Sequence, residues 1–501
     1  MKLPINGVGR LPVRLAWFVP STHIGRMLYR TKLLPGLLLA LLVPSGCGGP
    51  ADGSGRELAR FSVVYDHYVD PGSAVSERRG QMDVFKTALR RVNDLYVSPA
   101  DNKLLVDAAI KGVEEMKPKP ASVPPGELVE KALNTMLASL DPHSNYLTPE
   151  QYKDLSSSTR GEFGGLGIEI AMENEEVKVV SPIDGTPAAR VGLKAGDVIT
   201  HVEGTPIKGQ TLAQVVRRLR GPPDTTVRIT IRRDGGSPFQ VAITRAIIVV
   251  QPVRWHLEAN VGYLRLTTFN EHADDALKSA VREIERQAGP SLKGYVLDLR
   301  NNAGGLLDQA VRISDDFLES GSVVAVRGRK SGEENYKARA GDVTGGRPMA
   351  VLINPGSASA SEIVAGALQD HQRAVLLGTT SFGKGSVQTI LPLEHGAALK
   401  LTTALYYTPS GRSIQARGIE PDLVVTGDAS EVKREADLTK ALPASEQKGP
   451  RAQAQLPEAA CPAALDPKDK LLGCAVALLE AGGLKSFLAL HNAQALAAPA
   501  K

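Results

Sequence analysis

The sequence predicts a multidomain α+β protein, on three observations. Helical periodicity runs over about residues 81–156, short alternating strands rich in Gly follow over 157–250, and strand and helix alternate over 251–426. With 501 residues, 42% hydrophobic and 23% charged, the chain is long enough for about three domains. That composition excludes a disordered, collagenous or multi-span membrane protein.

The formal net charge of +5 is concentrated at the start of the chain. All six basic residues before Cys47 (Lys2, Arg10, Arg14, Arg26, Arg30 and Lys32) stand in a segment with no Asp or Glu, and without them 53 Lys and Arg face 54 Asp and Glu. A bulk electrostatic basis for binding nucleic acid or an anionic membrane disappears with that segment. Leu33 to Val43 is an apolar run of eleven residues preceded by Arg30 and Lys32. As a helix it would rise only about 16 Å, too short for a bilayer but suited to a signal-peptide core. Met27 would begin a compact leader, so translation is expected to start there. Ser45, Gly46 and Cys47 resemble a bacterial lipobox, although Pro44 stands where Leu or Val is usual. Residues 1–47 are therefore expected to be a signal peptide, with either lipidation at Cys47 or ordinary cleavage nearby, and the protein to reach the periplasm or cell envelope. Membrane contact is expected only through this leader or a lipid anchor. Residues 48–80, beginning with a Gly- and Ser-rich tether, are expected to be a linker.

In the helical region, Val84, Leu89, Val92 and Leu95, then Leu128, Val129, Ala132, Leu133, Met136 and Leu137, recur near helical spacing. It ends in the turn-rich Leu140-Asp141-Pro142-His143-Ser144-Asn145-Tyr146-Leu147, where His143 reads as a turn residue rather than a catalytic one. The nine His residues are scattered singly, with no H-E-x-x-H or comparable spacing, so no metal and no cofactor are expected.

Over 157–250, Gly165-Leu166-Gly167-Ile168 precedes a strand at Glu169-Ile170-Ala171, and Val177 to Val180 gives a second. Gly192-Leu193-Lys194-Ala195-Gly196-Asp197-Val198-Ile199 follows, then a helix pattern at Leu212, Val215, Val216 and Leu219, and a strand from Val227 to Ile231. This string resembles a PDZ domain, a small β-sandwich or barrel-like fold. The resemblance implies that backbone N–H groups of Gly165, Leu166, Gly167 and Ile168 receive a peptide's terminal carboxylate while the peptide adds as a strand beside them. Arg220, at the end of the helix pattern, is a candidate for coupling peptide binding to the rest of the chain, against the plainer reading of a solvated charge.

Over 251–426, strands are expected at Tyr263–Leu266, Gly294–Leu299, Val323–Val326, Met349–Asn354 and Ala374–Leu377. Helices are expected at Ala273–Gln287, Leu307–Leu318 and Ser361–Gln369. In such a sheet ligands gather at the carboxyl ends of the strands. Three motifs fall there: Asp298-Leu299-Arg300-Asn301-Asn302-Ala303-Gly304-Gly305, Pro355-Gly356-Ser357-Ala358-Ser359-Ala360-Ser361-Glu362, and Ser381-Phe382-Gly383-Lys384-Gly385-Ser386-Val387-Gln388. Taken singly, Ser359 with Glu362 is a capping box. Gly378 to Lys384 fits part of a phosphate loop, but Gly385 replaces the required hydroxyl and a strand pattern follows where a helix is needed, which excludes nucleotide binding. No G-x-S-x-G elbow surrounds the serines.

Together and in this order, the motifs resemble the carboxyl-terminal processing (tail-specific) serine proteases with an embedded PDZ domain, over Val84 to Val425. The resemblance implies a ClpP/crotonase-like core, Ser359 as nucleophile, Lys384 as general base, Gln388 orienting the lysine, and oxyanion donors at Ala360 and Gly305 of the glycine pair. A Ser hydroxyl needs an adjacent base, and a Lys amine near its reference pKa of about 10.4 must be desolvated to serve as one. Glu362 reads equally as a cap or a catalytic acid, Asp370 as structural, and His371 as an ordinary Ser-His alternative that the lysine motif displaces. The expected partners are proteins or peptides with free C-termini. The rival from another class is a catalytically inactive envelope PDZ scaffold that retains a protease-like core.

Beyond the core, residues 427–501 are expected to be a linker and a small helix suited to docking an adaptor or forming a homo-oligomer. Cys461 and Cys474 are expected to form a disulfide, worth about 3 kcal/mol for a loop of that size if its effect is on unfolded-chain entropy.

Overall fold

The computed structural model describes residues 54–330, 332–427, 433–444, 452–491 and 494–495. The leader, the start at Met27, Cys47 and the tether lie outside the described residues. The described part of the expected 48–80 linker differs from expectation. Ser54–Tyr68 is a helix, and a second helix, Val75–Leu95, begins before residue 81. The reason is burial: Phe61 and Tyr65 face inward, and Phe61 stacks on Phe85 with ring centroids 3.7 Å apart. These two helices share one apolar core with Asn102–Glu115 and Pro125–Ala138. Asp101 starts the third by accepting from Lys103 N–H, and Pro125 occupies the first turn of the fourth, where a missing N–H costs nothing.

The helical unit is fused to the core by the strand Asn145–Leu147, which pairs antiparallel with Ala398–Tyr407. That long strand organises a five-stranded sheet with Ser322–Gly328, Gly332–Lys337 and Ser386–Pro392. A helix, Pro149–Arg160, then runs from a Thr148–Gln151 capping box to a left-handed Gly161. From there the chain enters the PDZ-like unit along Glu162–Gly165 and leaves along Ala246–Val249, which pair antiparallel as a two-stranded ribbon. The insert is therefore hung on a narrow stalk, with its compact part inside the expected 157–250 limits. Its six-stranded sheet begins with Ile168–Glu173, an edge strand paired on one side only, with Glu176–Pro182.

The second large sheet has the order Val253–Glu258, Val261–Leu266, Gly294–Asp298, Met349–Ile353, Val375–Gly378, Leu423–Thr426, Ala454–Pro457, Gln494–Ala495. The pairs from Val261–Leu266 through Ala454–Pro457 are parallel, and the two outer pairs are antiparallel. Every residue of Gly294–Asp298 and Met349–Ile353 is buried, as a parallel strand covered on both faces requires. Alternate residues separate the two faces. Tyr295, Leu297, Val351 and Ile353 pack with the helices Ala273–Ala288, Leu307–Asp315 and Ala360–Asp370, whereas Val296, Ala350 and Leu352 pack with Leu472, Ala475, Leu478 and Leu479.

The last four residues belong to Lys470–Glu480, so the expectation for 427–501 is corrected. The described part of that stretch adds strands to the sheet and a helix that covers its second face, because no helix within 251–426 is left to cover it. A linker or a free docking helix would leave Val296, Ala350 and Leu352 open to water.

Candidate active site

The three motifs meet at the carboxyl ends of Gly294–Asp298, Met349–Ile353 and Val375–Gly378. Ser359 begins the helix Ala360–Asp370 with φ +56° and ψ −113°, a conformation that a residue with a side chain rarely adopts and that costs about 1–3 kcal/mol. Its side chain caps nothing. The capping box expected from the sequence is thus only half realised: Glu362 accepts from Ser359 N–H at 2.8 Å, but the serine hydroxyl makes no cap hydrogen bond. The flanking serines are committed elsewhere. Ser357 Oγ donates to the Leu299 carbonyl at 2.8 Å, and Ser361 Oγ donates to the Asn302 carbonyl at 2.8 Å.

Glu362 is fully buried and gathers the site. Its Oε2 accepts from Ser359 N–H and from Lys384 N–H at 2.9 Å; its Oε1 accepts from Gly383 N–H and Ser381 Oγ, each at 2.6 Å. One carboxylate oxygen therefore separates the backbone of Ser359 from that of Lys384. Burial pushes the Glu362 carboxyl up to about 7, while its four donors pull it down. Structural and site-building roles coincide here: the residue holds a strained serine and the lysine loop in one place.

Lys384 is depressed to about 8 by burial and then by the Lys400 ammonium, against Glu435, Glu362 and Asp141, which pull the other way. Its Nζ donates to Gln388 Oε1. The amide can face only this way. Gln388 Nε2 donates to Ser386 Oγ at 2.9 Å and to Thr402 Oγ1 at 3.3 Å, and the Thr402 hydroxyl already donates to Asp141 Oδ1 at 3.0 Å. Asp141 also holds the turn by accepting from His143 N–H and Ser144 N–H. The Asp-Pro-His-Ser turn of the helical unit thus fixes the orientation of Gln388 through Thr402.

Gly304 and Gly305 pass beside Ser359. A Cβ on Gly304 would lie 2.9 Å from both Ser359 Cβ and Ala360 N, at φ +97°, so only glycine fits. The Gly304 N–H is occupied, donating to Asn302 Oδ1 at 2.9 Å. Among the described residues, no protein acceptor faces the N–H groups of Gly305 and Ala360.

Tyr406, Glu435 and Gln415 carried no sequence signal. The Tyr406 hydroxyl reaches the Ser359 side chain, and burial raises it to about 12 in spite of that hydrogen bond. Glu435 bonds His143 Nε2 at 2.8 Å and accepts from Gln415 Nε2 at 2.9 Å, and Gln415 in turn holds Gly385 N–H at 3.0 Å. Although its own burial pushes the other way, His143 and Gln415 keep Glu435 below its ordinary value. His143 is thus a structural neighbour of the lysine loop. His371 Nε2 bonds the Ser322 carbonyl, and Asp370 pairs with Arg412.

In the PDZ-like unit, Gly165 ends the ribbon, Leu166 is buried, and Gly167 (φ +77°) would drive a Cβ to 2.2 Å from Thr186 Cβ. Ile168 opens the edge strand. Arg220, at the end of the PDZ helix, is exposed and lies over the ring of Phe163 on the stalk at 4.2 Å. Cys461 and Cys474 are joined, with an S–S distance of 2.03 Å.

A six-stranded insert with an open edge at Ile168–Glu173, hung on a stalk from a core that carries the Ser-Glu-Lys-Gln cluster, defines a PDZ-bearing serine hydrolase. The profile of peptidase family S41 matches residues 260–425, and that of the PDZ domain matches residues 178–233. A carboxy-terminal-processing protease of Bartonella bacilliformis is 54% identical over 316 residues, 62% of this chain and 73% of the relative. A carboxyl-terminal-processing protease of Synechocystis is 39% identical over 303 residues, 59% of this chain and 70% of the relative. Among solved structures, a photosystem II D1 C-terminal processing protease is 32% identical, covering 70% of this chain and 93% of its own, with a TM-score of 0.43. The chain belongs to the carboxy-terminal-processing serine proteases of peptidase family S41.

Proposed function

We propose that the protein is an exported endopeptidase that takes the free C-terminal tail of a protein substrate in its PDZ domain and cleaves by a Ser-Lys mechanism. The observation that supports this reading is the single Glu362 oxygen shared by Ser359 N–H and Lys384 N–H, which ties the backbone of the serine to that of a lysine whose amine is depressed by burial. Lys384, neutral above about pH 8, takes the proton from Ser359 Oγ as that oxygen attacks the peptide carbonyl. The tetrahedral oxyanion accepts from Ala360 and Gly305 N–H. The lysine then protonates the leaving amine, and water hydrolyses the acyl-enzyme with the same base. Gln388 orients the lysine amine throughout.

Substrate selection follows from the edge strand. Ile168–Glu173 has one unpaired side on which an extended peptide adds, with the turn Gly165-Leu166-Gly167-Ile168 directing N–H groups at the terminal carboxylate. Export to the periplasm or cell envelope is supported by the leader-like start and by the Cys461–Cys474 bridge, which belongs in an oxidising compartment.

Digestion of a model protein with an apolar C-terminus tests both halves. Ser359→Ala and Lys384→Ala are expected to abolish cleavage, and amidation of the substrate's C-terminus is expected to slow cleavage by the intact enzyme. Cleavage by both variants would overturn the Ser-Lys assignment. Indifference to amidation would overturn carboxylate recognition.

A further inference from the structure

The segment beyond the family-matched region reaches the oxyanion wall through one ion pair. Asp469 is the N-cap of Lys470–Glu480, accepting from Leu472 N–H at 3.0 Å, and it lies between Cys461 and Cys474, inside the loop that their bridge closes. Its two oxygens accept from Arg300 Nη1 at 2.9 Å and Nη2 at 2.7 Å, a bidentate pair with side chains only 16% and 23% exposed. Arg300 is fixed on its other side by buried Asp298, which also accepts from Tyr263 Oη at 2.7 Å and Arg265 Nη1 at 3.0 Å.

From Arg300 the chain runs directly into the wall. Asn301 N–H donates to Asn354 Oδ1, and the Asn302 carbonyl accepts from both Ala358 N–H at 3.0 Å and Ser361 Oγ. Asn302 Oδ1 then holds Gly304 N–H, directly before Gly305. A shift at Arg300 is thus passed to both sides of the Ser359 backbone, because Asn302 is bonded to the residues on either side of the Ser359–Ala360 step.

We propose that Asp469, presented by the disulfide-closed loop, is a positioning residue that acts through Arg300 to set the Gly305 and Ala360 N–H groups for the oxyanion. This rests on the Ser-Lys reading above and extends the machinery into residues 452–491. Bidentate geometry is what suits Asp469 to the role, since it fixes the guanidinium in orientation as well as position. The covering helix supplies rigidity, and the bridge keeps the loop from opening away from the sheet.

The test uses the full chain and a substrate-derived peptide aldehyde, whose carbonyl adds the Ser359 hydroxyl to give a hemiacetal oxygen in the oxyanion position. Asp469→Asn keeps the N-cap, since Asn caps as well as Asp, but removes the charge from Arg300. It is expected to lower kcat roughly ten-fold, below the roughly 10²–10³-fold cost of losing a whole oxyanion donor. KM is expected to stay within about two-fold, the aldehyde to bind more weakly by the same factor as kcat, and the affinity for a product peptide to stay unchanged. Asp469→Glu is expected to recover part of kcat. The double variant Cys461→Ser, Cys474→Ser is expected to move kcat and aldehyde affinity in the same direction, and it carries the comparison if Asp469→Asn does not accumulate as folded protein. Unchanged kcat and aldehyde affinity, or a parallel loss of aldehyde and product-peptide affinity, would overturn the inference while Ser359→Ala remains inactive. Cleavage by Ser359→Ala would remove the reading on which it rests.

Discussion

In the proposed mechanism Lys384 must lose a proton before it takes one from Ser359, so the pH profile belongs to this side chain. With the amine at about 8, kcat/KM is expected to rise about ten-fold per pH unit below that value and to level above it, as measured on an uncharged peptide. Lys384→Arg is expected to be inactive at every pH, because a guanidinium does not deprotonate. Glu362 gives the opposite kind of signal. Its folded value is raised from 4.5 to about 7, so the protonated form favours the folded state; that contribution is complete below about 4.5 and is lost as pH rises through about 7. Glu362→Gln is expected to remove this pH dependence from thermal unfolding curves. It is also expected to cost about 1–3 kcal/mol, because an amide nitrogen then faces backbone donors. Sequence motifs singled out Ser359, Lys384 and Gln388; in the structure Lys384 Nζ bonds Gln388, and Glu362 joins the backbones of Ser359 and Lys384. They left Glu362 undecided between cap and catalyst, because a capping box is a local pattern whereas its four donors come from two separate loops.

At the scale of elements, the glycine turns and the covering helix carry the sharpest expectations. Gly167 has φ +77° with Thr186 pressed against its missing Cβ, so Gly167→Ala is expected to destabilise the PDZ unit and raise KM for tailed substrates with little change in kcat. A titration with a fluorescent C-terminal peptide separates the two effects. Leu478 packs between the helix Lys470–Glu480 and the sheet, so Leu478→Ala is expected to cost about 2–5 kcal/mol in denaturant unfolding. A linker or free docking helix would leave stability unchanged. The expectation for 427–501 went astray because composition alone does not tell a solvated helix from one that covers a sheet. A signal was nevertheless present: Gly294–Leu299 and Met349–Asn354 are apolar at every step, which demands cover on both faces, and the helices within 251–426 supply one.

For the whole molecule, the ribbon of Glu162–Gly165 with Ala246–Val249 makes the PDZ unit an insertion that enters and leaves at one place. Joining the two strands by a short turn is expected to leave a folded enzyme that cleaves unstructured protein at least as fast as the intact chain and ignores amidation of the tail. Complete inactivity of that form would count against a PDZ domain that merely holds the active site back until a tail binds. Arg220, at the end of the PDZ helix, packs over Phe163 of this stalk, between the unit and the rest of the chain.

The residues by themselves determined the order of the units, the PDZ signature, and the three motifs on loops at strand ends, because each is written in local spacing and in glycines that only a tight backbone needs. Tertiary structure alone decided that Glu362 joins Ser359 to Lys384, that Asp141 orients Gln388 through Thr402, and that Asp469 reaches Arg300 from 169 residues away. Those contacts depend on which faces the sheets bury and which loops that burial brings together, and a polar residue's partner across such a distance leaves no periodicity in the chain.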